Sequence, residues 1–167
     1  MKLRPDQLKA HLQHNLRPVY FVSGDESLQL MESTDALRAT ARAQGYVERE
    51  VLEVDAHFDW QQLLDAGNSM SLFADKRILD LRLPSGKPGK QGSDVLQAYA
   101  ARPADDAVLI ISAGKLESAA KNSKWFKSLD EAGVVIQCWP INVTELPRWI
   151  DQRMREPYFF TLKTHTR

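Results

Sequence analysis

Two hydrophobic rhythms alternate along the chain. Continuous apolar runs occur at Val19-Tyr20-Phe21-Val22, at Ala107-Val108-Leu109-Ile110-Ile111 and at Val134-Val135-Ile136-Gln137-Cys138-Trp139. Strands apolar without alternation are covered on both faces, as in a parallel sheet. Leu79, Leu81 and Leu83 instead alternate with Asp80 and Arg82, the period of a strand with one wet face. Val51, Leu52 and Val54 mark a further strand.

Helical spacing fills the intervals. Pro5 suits a first turn, and Leu8, Leu12 and Leu16 recur every four residues. A helix from Ser27 turns Leu30, Met31, Leu37 and Ala41 inward and stops near Gly45. Asp59-Trp60-Gln61-Gln62 has capping-box form and opens a helix with Trp60, Leu63, Leu64 and Gly67 on its inner side. Further helices run from Asp94 to about Ala101, through Trp125, Phe126 and Leu129 to Gly133, and from Pro147 through Trp149, Ile150 and Met154. Strands alternating with helices predict an α/β domain with a mostly parallel five-stranded sheet flanked by helices. Residues 84–92, rich in Gly, Lys and Pro, read as a surface loop.

Pro140 to Thr144 reads as a domain boundary, giving residues 1–140 and 141–167. The second stretch is too short for its own core, and residues 157–167 do not continue its helix. Composition narrows the function classes. Lys plus Arg and Asp plus Glu number 22 each, so the net charge is zero over 167 residues. That is not the footprint of a domain that lives on phosphate backbones. One cysteine, Cys138, forms no disulfide framework and agrees with a reducing cytoplasm. No apolar run is long enough to span a bilayer, so a cytoplasmic protein without membrane contact is expected.

Chemistry is sparse. A phosphate loop between first strand and helix needs Gly-x-x-x-x-Gly-Lys-Ser/Thr. The turn here is Ser23-Gly24-Asp25-Glu26-Ser27, whose two carboxylates oppose a triphosphate. The Gly86 to Gly92 stretch fails the same pattern, because Gln91 stands where the second glycine belongs. His11 and His14 lack a third ligand, and the surroundings of Cys138 are those of an inert core thiol. No catalytic residue, metal site or cofactor site is expected. The feature that stands out is Met70-Ser71-Leu72-Phe73, large apolar side chains in a connection that should be polar. Taken alone, such a pair is more often packed locally than kept for a partner.

The order of segments resembles the N-terminal part of the delta subunit of the bacterial DNA polymerase III clamp loader. The resemblance rests on Leu3-Arg4-Pro5-Asp6-Gln7-Leu8, on the first strand through Glu26 and on Met70-Ser71-Leu72-Phe73-Ala74. Lys115-Leu116 with Trp125-Phe126 and Leu146-Pro147-Arg148-Trp149-Ile150 complete it. It implies a RecA-like fold of the AAA+ type with a degenerate phosphate loop and no ATP hydrolysis of its own. It also implies that Leu72 and Phe73, with Met70 beside them, enter an apolar pocket on the beta sliding clamp. The implied partners are that clamp, the delta prime and tau/gamma subunits, and primed DNA only within the assembled loader. Two other readings compete. One is a degenerate P-loop nucleotide-binding enzyme; the other is a DNA-binding module using Lys76, Arg77, Lys87 and Lys90.

Overall fold

The computed structural model describes residues 1–69, 75–139, 144 and 146–155. The chain runs β1 (Lys2–Leu3), α1 (Pro5–His11), β2 (Val19–Gly24), α2 (Ser27–Ala43), β3 (Tyr46–Glu53) and α3 (Gln61–Asn68). It continues through β4 (Lys76–Leu83), α4 (Gly89–Ala101), β5 (Ala107–Ala113), α5 (Ser118–Lys121), α6 (Lys124–Ala132), β6 (Val134–Cys138) and α7 (Leu146–Met154). The strands form one sheet in the order β1-β6-β2-β5-β4-β3. Every neighbouring pair is parallel.

Two apolar layers sandwich this sheet. On one face Val19, Phe21, Leu79, Leu81, Leu83, Leu109 and Ile111 meet Trp60, Leu63, Leu96, Tyr99, Trp125, Phe126 and Leu129. On the other, Tyr20, Val22, Ile78, Ile110, Val134 and Ile136 meet Leu8, Leu37 and Ala41. Alternate residues of β2 and β5 therefore serve opposite cores, which is why these strands carry no polar face. β5 lies between β2 and β4, inside the sheet.

Several expectations need correction. The sheet has six strands rather than five, because Lys2–Leu3 adds a short edge beside β6. β3 begins at Tyr46 and ends at Glu53, so Val54 falls just outside it. It is the opposite edge, paired only with β4, and its charged residues suit an unpaired border that must resist further pairing. Met31 is 48% exposed rather than inward, while Gln29, Ser33 and Thr34 of the same helix are buried.

β4 has no wet face. Asp80 is completely buried and accepts hydrogen bonds at Oδ2 from Arg38 Nε at 3.0 Å and from Arg49 Nη2 at 2.8 Å. Strand alternation correctly separates Asp80 from the leucines, but α2 covers the side it points to. The capping box at Asp59 does not form. Asp59 Oδ1 accepts from the amide of Gln61 at 3.0 Å, an Asx-type turn, and the Gln61 side chain donates to Asp65.

α4 starts at Gly89, inside the stretch read as loop. The Trp60 indole lies against this turn, and a Cβ on Gly92 would come within 2.5 Å of it. Glycine is present there to let an aromatic side chain reach a helix, not to keep the chain loose.

Candidate partner-docking site

Two places concern function: the turn after β2, and the connection from α3 to β4. In a parallel sheet, ligands of α/β proteins gather outside the carboxyl ends of strands, where the strand order switches direction. β2 is such a point, since β6 and β5 flank it while the chain leaves for the far edge. Gly24 ends the strand at φ 147° with its Cα against Cys138, and a Cβ would lie 2.0 Å from the Cys138 carbonyl oxygen. The next helix presents free amides towards the turn, as every helix N-terminus does. Two of them are taken. Glu26 caps α2, its Oε1 accepting from Leu28 N at 3.2 Å and its Oε2 from Gln29 N at 2.6 Å. A carboxylate of the chain itself thus holds two of the amides that open α2.

Cys138 is buried beside this turn, and burial raises its thiol to about 11 despite a hydrogen bond with Ser33. A thiol so placed stays protonated and unreactive. His11 is not a ligand either. Its Nε2 lies 2.9 Å from the Tyr20 hydroxyl, and burial lowers its pKa. Among the described residues no three His, Cys, Asp or Glu side chains gather as for a metal ion. Among them, too, no helix is long and apolar enough to cross a membrane.

The second place is the base of the segment 70–74. Met70, Leu72 and Phe73 themselves lie outside the described residues. Their flanks do not. α3 ends at Asn68, and the Ser69 amide closes the last turn onto Asp65 O at 2.9 Å. Arg77, only 6% exposed, reaches back under this end. Its Nη1 donates to the Ala66 carbonyl at 2.6 Å and to Ser69 Oγ at 3.0 Å. Its Nη2 donates to Asp106 Oδ1 at 3.3 Å, and its backbone amide to Asp106 O at 2.8 Å. Beside it, Lys76 Nζ sits 5.1 Å from the centre of the Tyr46 ring. The register between β3 and β4 shifts there, so that Val47, 63% exposed, is an extra residue at the edge.

This arrangement separates the four basic residues of the DNA-binding reading. Arg77 is buried, and Lys76 starts β4 while Lys87 and Lys90 follow its other end. Lys87 is 3.6 Å from Glu117. The inward role of Arg77 had a signal in the sequence: it shares the odd-numbered face of Leu79, Leu81 and Leu83.

Six parallel strands in this order between two helical layers define a RecA-like domain of the AAA+ type. Comparison with known proteins narrows the class. The family described as DNA polymerase III, delta subunit, matches residues 20–139. The chain belongs to that family. The DNA polymerase III subunit delta of Escherichia coli K12 is 35% identical over 156 residues, covering 93% of this chain and 46% of that protein. That of Haemophilus influenzae is 32% identical over 157 residues, covering 92% and 45%. The chain thus spans about half the length of these relatives. Among solved structures, a DNA clamp loader delta protein of Bacillus subtilis aligns with a TM-score of 0.59 at 20% identity, over 84% of this chain and 42% of that one. A DNA polymerase III gamma subunit-related protein of Thermotoga maritima aligns at 0.53 and 13% identity, over 89% and 49%. At those identities the likeness speaks for the fold alone.

Proposed function

We propose that this chain is the clamp-docking part of a clamp-loader delta subunit. It binds the beta sliding clamp through Leu72 and Phe73, with Met70 beside them, and helps to open the ring for loading onto primed DNA. The observation that supports the reading is that the family match, residues 20–139, takes in the segment containing all three residues. Residues 1–140 form the docking domain, and residues 141–167 begin a second, lid-like unit.

The physical chemistry suits this task. Burying a Leu and a Phe side chain is worth about 1.5–3 kcal/mol each. Two apolar anchors seated in one pocket have the form of a hot spot. Opening a ring requires more than tight binding: the contact must favour the open clamp over the closed one. The chain needs no nucleotide for that. Glu26 fills the helix amides that a phosphate loop would offer, so ATP chemistry belongs to the tau/gamma neighbours, with delta prime completing the assembly. Primed DNA is met only within that assembly.

Binding of purified sliding clamp by wild type and by a Leu72→Ala/Phe73→Ala double variant tests the docking reading. The double variant should bind at least about 100-fold more weakly, the equivalent of two lost side-chain burials. Retained affinity in a folded double variant refutes it. Titration with magnesium ATP tests the second part, and saturable micromolar binding would overturn the absence of a nucleotide site.

A further inference from the structure

A trough of ≈ 760 Å³ lies between α1, α2 and α7. It follows α2 from Gln29 in the first turn to Thr40 near the last. That run of helix is roughly 16 Å, about three turns. The apolar lining comes from Leu8 and Leu12 on the α1 side and from Ala36 and Ala39 on α2. The alanines are small enough to let another helix come close, because interaxial distance follows the side chains at the contact.

Two observations show that the trough is unfinished. The first is Gln29, which is 8% exposed and lines it. Its backbone amide is held by Glu26, but its side-chain amide bonds to no described residue. A group that satisfied this amide would gain a hydrogen bond the chain does not supply. The second is charge. Arg4 pairs with Asp6 and Arg153 with Glu32, whereas Lys9 and Arg148, both exposed, form no ion pair among the described residues. Lys121 adds a further cation, 4.4 Å from the ring of Trp139, which also lines the trough. The charge left over is positive.

The geometry points to an acidic amphipathic helix of a partner protein as the occupant. Its apolar stripe lies on the leucines and alanines, its carboxylates beside Lys9 and Arg148, and a polar group against Gln29, which is the helix-in-groove mode. A mononucleotide-sized ligand would leave most of a trough this long empty. Single-stranded nucleic acid stacks its bases on aromatic faces, and the apolar lining beside α2 is aliphatic. This surface is separate from the clamp-docking role and stands if that role fails.

Tryptophan emission reports occupancy, since Trp60 and Trp125 are buried while Trp139 is 44% exposed. The probes are two synthetic helical peptides with the same leucine stripe, one flanked by glutamates and the other by lysines, titrated into the full chain. The glutamate peptide should bind saturably and shift the emission to shorter wavelength, and Trp139→Phe/Trp149→Phe should abolish the shift. The lysine peptide should bind at least about tenfold more weakly, and Lys9→Glu/Arg148→Glu should reverse the order. Lys90→Glu/Lys127→Glu, the same change of charge on α4 and α6, should bind like wild type. Ala39→Trp, an exposed position, should abolish binding by filling the trough. Gln29→Met should weaken it about fivefold. Equal binding of the two peptides, binding that survives Ala39→Trp, or no binding at all overturns the inference. So does binding of oligothymidylate in place of peptide that Lys9→Glu/Arg148→Glu abolishes, which gives the trough to nucleic acid. Self-association in analytical ultracentrifugation that Ala39→Trp abolishes overturns it too, and gives the trough to a second copy.

Discussion

Asp80 and Arg77 show how a buried charge behaves when its partners are built in. Asp80 has no exposed surface, and its Oδ2 receives both Arg38 and Arg49. Asp80→Ala removes the carboxylate that Arg38 and Arg49 share, leaving Arg38 its bond to Asp35, and should cost about 3 kcal/mol in urea unfolding. The Arg82–Glu53 pair on the surface, at 3.2 Å, should cost no more than about 1 kcal/mol when broken. Titration gives a second expectation. Burial raises the Cys138 thiol from 9.0 to about 11 and the Tyr99 phenol from 10.0 to about 12. Folding favours the neutral form of both acids, so the unfolded chain releases its protons first. Stability is whole below pH 9 and declines as the pH climbs from there through 12. Urea midpoints measured from pH 8 upward check this, and Cys138→Ala should remove the thiol's share of the decline. His11 acts at the acid end. Its lowered pKa means that the unfolded chain binds the proton more readily, so its contribution is present above the usual imidazole range and lost as the pH falls below it.

Among the elements, the central strands were legible and the edges were not. β2, β5 and β6 are covered on both faces, and only an uninterrupted apolar run satisfies two cores. β3 has a single neighbour and an exposed border, so its sequence Tyr-Val-Glu-Arg-Glu-Val-Leu-Glu reads as strand only in part. The start of α4 was hidden because Gly89 and Gly92 resemble loop residues until Trp60 is placed against Gly92. Asp80 looked solvated because a strand's own pattern does not reveal which helix covers it. At the turn after β2 the sequence showed two carboxylates, and the structure gives one of them, Glu26, the role of helix cap on the Leu28 and Gln29 amides. Glu26→Ala should lower stability by about 1 kcal/mol through the lost cap, seen as an earlier thermal transition. The inward place of Arg77 was hidden by the habit of reading arginine as surface.

At the scale of the whole molecule, the parallel sheet sets the two places considered above at its opposite ends. The turn of Gly24 and Glu26 lies where strands finish, and the connection after α3 lies where they begin. About eight residues of strand separate them, roughly 25 Å. Clamp binding should therefore protect amides around Ser69, Tyr46 and Lys76 from hydrogen exchange, while those of Leu28 and Gln29 exchange as in the free chain. Six strands run the same way, and the central ones lie between two apolar layers. Interiors packed this closely have low compressibility, so a displacement where the strands finish is felt where they start.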